Sequence, residues 1–184
     1  AEHNWKIIRI DENGNIRMIL ADTTTGSTIY NGPLSDAAYV GYMYGIKPST
    51  TYEEAHVNTN NSAIKTYSEN WYNANLLSYS SYIADAGYCN DRSISSGLGY
   101  GGNSTYFGPY ARNDSNSSSS PRFACPNSSN DLFTTASSTF GNKASTYPIG
   151  LLTADEARYG GLQQGKSYSS DYNYTNYLKM SNIY

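Results

Sequence analysis

The sequence predicts an α+β fold: a single domain of short, mostly antiparallel strands, two or three helices and long connecting loops. Three observations predict it. Two β-branched runs near the start flank an Asn-Gly pair. A helical spacing of Ile64, Tyr67 and Trp71 follows a polar capping position. A Thr-x-x-Glu capping box stands at Thr153. Its 184 residues suffice for one domain with a buried core.

The first element is a hairpin. Trp5 to Ile10 and Ile16 to Leu20 read as strands, joined by Asp11-Glu12-Asn13-Gly14-Asn15. Asn13-Gly14 is expected to supply the positive φ angles of a tight turn. The same five residues resemble the start of a calcium loop, but no later acidic ligand follows, so the hairpin reading is preferred.

Ala38 to Tyr44 alternates small and large side chains and is expected to form a buried strand ending at Gly45. Asn61 or Ser62 then caps a helix whose face carries Ile64, Tyr67 and Trp71, and Trp71 is expected in the core. From Ala86 to Ser145 the chain is expected to be mostly irregular, with a tip at Ser117 to Ser120. Gly97, Gly99 and Gly102 have the spacing of a dinucleotide-binding turn. That turn opens a helix, and Asn103-Ser104-Thr105-Tyr106 followed by Phe107-Gly108-Pro109 does not, so the match is rejected. Tyr147 to Leu152 reads as an extended apolar run, and a short helix from Thr153 is closed by Gly160-Gly161.

Composition bounds the rest. Only 38% of the residues are hydrophobic, and that share includes 20 tyrosines, beside four Phe, two Trp and three Met. Asparagine and serine make up about a quarter. The core should therefore be small and edged by tyrosine. A net charge of −3 argues against a nucleic-acid partner, which needs a basic face. No apolar run is long enough for a membrane span. Six Asn-x-Ser/Thr sequons, at Asn60, Asn103, Asn113, Asn116, Asn127 and Asn173, are expected by chance at this Asn and Ser content.

Cys89 and Cys125 lie in loop-like surroundings with no zinc-type spacing. Free thiols are one reading; a disulfide, suited to an exported protein, is preferred. His3 and His56 lack a zinc-protease or esterase motif around them. Carboxylates such as Asp85, Asp91, Asp131 and Glu156 are candidates for glycosidase chemistry only if the fold pairs them, and Asp155 beside Glu156 is a second carboxylate pair to weigh. Asp155 and Glu156 are helix-start residues first. No catalyst, cofactor or metal site is expected.

What the composition favours is contact chemistry. Tyrosine offers a large stiff surface with a polar tip, and Asn and Ser add adaptable hydrogen bonds. Their density peaks towards the C-terminal side. There Tyr172, Asn173, Tyr174, Asn176, Tyr177, Asn182 and Tyr184 are the expected ligand or partner contacts, with one row of a strand open and the other on the core. The opposing view is a polar surface whose tyrosines prop up a thin core.

Several segments are also familiar in order: Trp5 to Ile10 with Ile16 to Ile19, Ala38 to Gly45, Thr51 to His56, Ile64 to Tyr67, Cys89 to Arg92, and Tyr147 to Glu156. Over nearly the full chain they resemble a family of uncharacterised exported surface proteins of gut Firmicutes. A more distant likeness is to C-type-lectin-like and formylglycine-enzyme-like domains, although the lectins' Glu-Pro-Asn and Trp-Asn-Asp calcium motifs are missing. The resemblance implies an extracellular or cell-surface location, and a chain lacking family segments at both ends. The expected function is then a non-catalytic binding module or adhesin, with a protein or glycan ligand. The alternative is a structural subunit that binds copies of itself in a filament, and a hydrolase stands third.

Overall fold

The computed structural model describes residues 3–21, 28–31, 39, 41–102, 104–114 and 119–159. In chain order they form β1 (Trp5–Ile10), β2 (Ile16–Leu20), β3 (Met43–Tyr44), α1 (Tyr52–His56), β4 (Asn60–Asn61) and α2 (Ala63–Asn75). A 3₁₀ helix at Leu77–Tyr82 precedes β5 (Tyr88–Cys89), β6 (Ile94–Ser96) and β7 (Tyr106–Phe107). α3 (Gly108–Asn113), α4 (Ser128–Asp131), β8 (Leu132–Phe133) and α5 (Ala154–Tyr159) complete the α+β set. All four sheets are two-stranded and antiparallel, in the pairs β1–β2, β3–β4, β5–β8 and β6–β7. Among the described residues only α2 is longer than two turns, and the helices beyond the expected two or three are short, of four to six residues. The chain divides into two compact units. One comprises Ala1–Gly26, Pro109–Ala124 and Leu152–Tyr184, and the other Ser27–Gly108 and Cys125–Leu151.

In the first unit the hairpin forms where the β-branched runs predict it. Its turn differs in detail. The Asp11 carboxylate accepts hydrogen bonds from the backbone N–H groups of Asn13 (2.9 Å) and Asn15 (2.8 Å) and from the Asn15 side-chain amide. Gly14 alone has positive φ, +81°, and its N–H bonds back to the Asp11 carbonyl. A five-residue loop of this kind needs one left-handed residue, not the two of an Asn-Gly turn. A bulge between Ile7 and Arg9 resets the register, so that Arg9 stands opposite Arg17 and Ile10 opposite Ile16.

α5 begins with the reciprocal capping box that the sequence predicts. The Glu156 N–H donates to the Thr153 hydroxyl and the Thr153 N–H to the Glu156 carboxylate, each at 3.0 Å. Ala157 packs with Ile19 and Leu152. Buried Glu156 also meets Arg17 at 3.0 Å and Arg9 at 3.5 Å. Asp155 receives both arms of Arg112, at 2.8 and 2.7 Å, and the Arg122 N–H. The glycine pair at 160–161 lies outside the described residues.

In the second unit Tyr42, Met43 and Phe133 form the main buried cluster, with Ile64, Tyr88, Ala144 and Leu151 against it. Tyr42 and Phe133 meet edge to face. Tyr39 and Ala55 form a second cluster, flanked by Tyr44 and Tyr100. Among the described residues of the expected strand 38–44, Met43 and Tyr44 pair, and Tyr39, Tyr42 and Met43 are buried. The strand ends at Gly45 as expected, where the chain passes directly against the α1 backbone at Glu54 and a Cβ has no room.

Ser62, not Asn61, caps α2: its hydroxyl accepts from the Lys65 N–H and donates to the Tyr42 carbonyl. The buried face of α2 departs from the prediction. It carries Lys65, Ser68, Glu69 and Tyr72, while Ile64, Tyr67 and Trp71 are only half-buried. Trp71 is therefore no core residue. Burial of charge is tolerated because Lys65 and Glu69 pair at 2.8 Å, and Glu69 also accepts from the Thr146 backbone and hydroxyl. The apolar run 147–152 bends at Tyr147 and Pro148 and is irregular from Ile149 to Leu152. Gly97, Gly99 and Gly102 lie in the connection between two paired strands, β6 and β7, which is the wrong setting for a dinucleotide turn.

Candidate functional site

The expected disulfide is present. Cys89 at the end of β5 is bonded to Cys125, with Cα atoms 5.6 Å apart. Beside it, the Cys89-Asn90-Asp91-Arg92 run is tied to α4 and β8. The Asn90 N–H donates to the Asp131 carbonyl, and the Arg92 guanidinium meets the Asp131 carboxylate at 2.8 Å. Arg92 further donates to the Met43 carbonyl and to Asn58, whose amide reaches the Asn130 carbonyl. Both members of the pair are almost fully buried. This network closes over itself, with every arm of the arginine engaged.

His56 is buried as well. Its Nδ1 lies 2.7 Å from the Tyr52 carbonyl, and since a carbonyl only accepts, Nδ1 carries the proton. The ring stacks on Tyr52 at 3.9 Å and meets Phe107 edge-on. Nε2 is buried with no hydrogen-bond partner. Burial holds the imidazole pKa below its ordinary 6.5 and so keeps the ring neutral. The Tyr52 hydroxyl donates to the Arg92 carbonyl, and burial pushes its pKa up to about 12.

The carboxylates weighed as catalytic candidates hold structure together. Asp131 meets Arg92, Asp155 meets Arg112, and Glu156 meets Arg9 and Arg17. Asp85 accepts from the Thr135 N–H and hydroxyl, and Asp91 from the Ser93 N–H. Among the described residues no group of three His, Cys, Asp or Glu lies close enough to hold a metal ion. No helix among them is long and apolar enough to cross a membrane.

Tyr172, Asn173, Tyr174, Asn176, Tyr177, Asn182 and Tyr184 lie outside the described residues. A different segment supplies an exposed aromatic surface. α2 ends at Leu76, whose N–H donates to the Tyr72 carbonyl at 2.7 Å, and the chain then tightens into the 3₁₀ helix Leu77–Tyr82. None of its six residues is buried. Tyr79 is 58% exposed and Tyr82 87%, with Leu77 and the serines at 78, 80 and 81 exposed around them. In a 3₁₀ helix residues three apart eclipse, so Tyr79 and Tyr82 share one ridge and Ser78 and Ser81 another. The Tyr79 N–H to Leu76 and Ile83 N–H to Ser80 bonds hold this shape, and Asp85 pins the chain to Thr135 just beyond it. Tyr72, by contrast, is buried and stacks on Tyr147 at 4.8 Å.

Sequence reasoning missed this ridge because it read the tyrosines by density. The signal was the run Leu77-Ser78-Tyr79-Ser80-Ser81-Tyr82 directly after an amphipathic helix, with tyrosines at 3₁₀ spacing.

Compared with protein-family models, curated proteins and solved structures, the chain matches none.

Proposed function

We propose that this chain is a non-catalytic extracellular binding module, which contacts a protein or glycan surface through tyrosine and serine. The observation that carries the reading is the Leu77–Tyr82 ridge: six consecutive exposed residues on a hydrogen-bonded support. Ordered aromatic side chains lose little conformational freedom on binding, and neighbouring hydroxyls adapt their hydrogen bonds to the ligand. The disulfide and the likeness to exported surface proteins favour a location outside the cell. The engagement of the named carboxylates in ion pairs and backbone bonds, and the burial of His56, count against acid–base catalysis.

The test uses the whole chain and its Tyr79→Ala/Tyr82→Ala variant against an array of immobilised glycans and against immobilised mucin glycoprotein. Expected are binding by the parent protein, at least a tenfold loss in the variant, and an unfolding midpoint that stays in place. Parent binding that the double substitution leaves intact would overturn the reading, as would parent protein that binds neither surface. Sedimentation of the parent as a long polymer would favour the filament subunit instead.

A further inference from the structure

α1 presents a stacked ring pair, Tyr52 on His56, to the β6–β7 hairpin. Phe107 of β7 meets the His56 ring edge-on. In the β6–β7 connection the Gly99 backbone lies against the Tyr52 ring, where a Cβ would come within 2.7 Å. Tyr100 packs beside them on the cluster of Tyr39 and Ala55. The hairpin itself is open: all three residues of β6 are exposed, and β7 consists of exposed Tyr106 and half-buried Phe107. An exposed two-stranded element of this kind lies at the low end of local stability, so its hold on α1 decides whether it stays docked.

His56 is the residue of this contact that acid changes. It is 2% exposed. Nδ1 donates to the Tyr52 carbonyl, a bond the neutral ring already makes, and buried Nε2 has no hydrogen-bond partner among the described residues. A second proton binds at Nε2. The charged groups that act on the ring are Arg92, Asp131 and Glu53. Arg92 repels an imidazolium. Asp131 attracts it, but its carboxylate already accepts from the Arg92 Nε and backbone N–H and from the Asn130 amide. Glu53 is exposed, where water weakens its pull. Phe107 on β7 and Asn130 on α4, whose amide also donates to the His56 carbonyl, bring no charge. Burial first, and Arg92 after it, thus oppose the charged ring, which is relieved by reaching water.

We propose that His56 is an acid-sensitive latch: protonation of its ring frees the β6–β7 hairpin from α1, while α2 and the cluster of Tyr42, Met43 and Phe133 stay folded. The opened form bares the rings of Tyr52, His56 and Phe107, which cover one another at neutral pH. The open form takes up the proton near the ordinary 6.5, and the closed form only at a lower pH. Opening therefore grows as pH falls below 6.5, by about tenfold per pH unit for one proton, and levels off below the pKa of the closed form. The latch is independent of the ridge at 77–82 and fails or stands without it.

Amide hydrogen exchange of the full chain across the acid range, expressed as protection relative to an unstructured chain at the same pH, tests it. Protection of α1, β6 and β7 should fall by about tenfold per pH unit below 6.5 and lie at least tenfold below that of Ser68 to Tyr72 in α2 at every pH. In His56→Phe, which keeps a ring in place, the pH slope of α1, β6 and β7 should vanish. Protection that is flat with pH in the parent would overturn the proposal, as would a slope that His56→Phe retains. Protection of the hairpin equal to that of α2 would also overturn it, because the unit then opens only as a whole. Imidazole nitrogen shifts of the parent protein keep the test decisive if the variant does not fold. They should show His56 neutral, with its proton on Nδ1, until the amide shifts of β6 and β7 change with it; protonation that leaves those amide shifts in place would sink the latch.

Discussion

Arg92 and Asp131 lie 2.8 Å apart and are both nearly solvent-free, so each is tolerated only in the other's presence. Arg92→Met leaves a buried carboxylate without its cation and removes donors from Met43 and Asn58. The expected loss is about 3–5 kcal/mol, read from urea unfolding. Pairing it with Asp131→Leu should recover part of that loss, because no lone charge then remains inside; a double variant as unstable as the single would contradict this. His56 makes a second residue-scale prediction. Its folded pKa lies below 6.5 because burial penalises the imidazolium, and Nε2 has no acceptor for a second proton. The unfolded chain therefore takes up the proton first as pH falls. His56 contributes to stability above pH 6.5, and that contribution should decline as pH drops from 6.5 towards the lowered folded value. Unfolding midpoints of the parent and of His56→Phe, measured between pH 7.5 and 5, should converge in slope only if another group governs this range.

The elements show where local chemistry suffices. Thr153 and Glu156 cap α5 reciprocally, and the three-residue spacing alone predicts it, because both bonds close within one turn. Thr153→Ala should cost on the order of 1 kcal/mol, checked by the denaturation midpoint of the variant. Thr153→Ser should recover most of it, since the hydroxyl is what accepts the Glu156 N–H. α2 shows the opposite case. Its existence and a cap at Asn61 or Ser62 follow from local residues, but its buried face lies one residue further round, through Lys65, Ser68, Glu69 and Tyr72. Periodicity places apolar residues inward by default. Here the inward face meets the Glu69 acceptor network at Thr146, 77 positions along the chain, which no local pattern encodes.

For the molecule as a whole, the disulfide closes a separation of 36 residues. Reduction should lower stability by about 4 kcal/mol in the chain-entropy model, through the freedom regained by the unfolded loop. Thermal or urea unfolding with and without a phosphine reductant measures this. Hydrogen exchange should then rise in 90–124 well beyond any rise in β1 and β2. A midpoint unmoved by reduction would mean that the Arg92–Asp131 network already holds the ends of that loop together. The small supply of aliphatic residues makes such long-range polar ties prominent: the buried set in the described residues includes only a handful of apolar side chains beside paired Lys65, Glu69, Arg92, Asp131, Asp155 and Glu156.

The sequence by itself determined the α+β class, the β1–β2 hairpin, the helix from Asn61 or Ser62 through Trp71, the α5 capping box and the preference for joining Cys89 to Cys125. Hairpin, helix and cap rest on interactions within a few residues of one another, where spacing and residue type settle the geometry; for the cysteines, the lack of any other partner singled out the pair. Only the tertiary structure decided that Asp131 pairs with Arg92, that the Gly45 backbone packs on Glu54, and that Tyr72 is buried while Tyr79 and Tyr82 stand open. Those outcomes depend on which surfaces distant segments bring together. A tyrosine carries an apolar ring and a polar hydroxyl, so it is equally at home in a core or on a surface until its neighbours are in place.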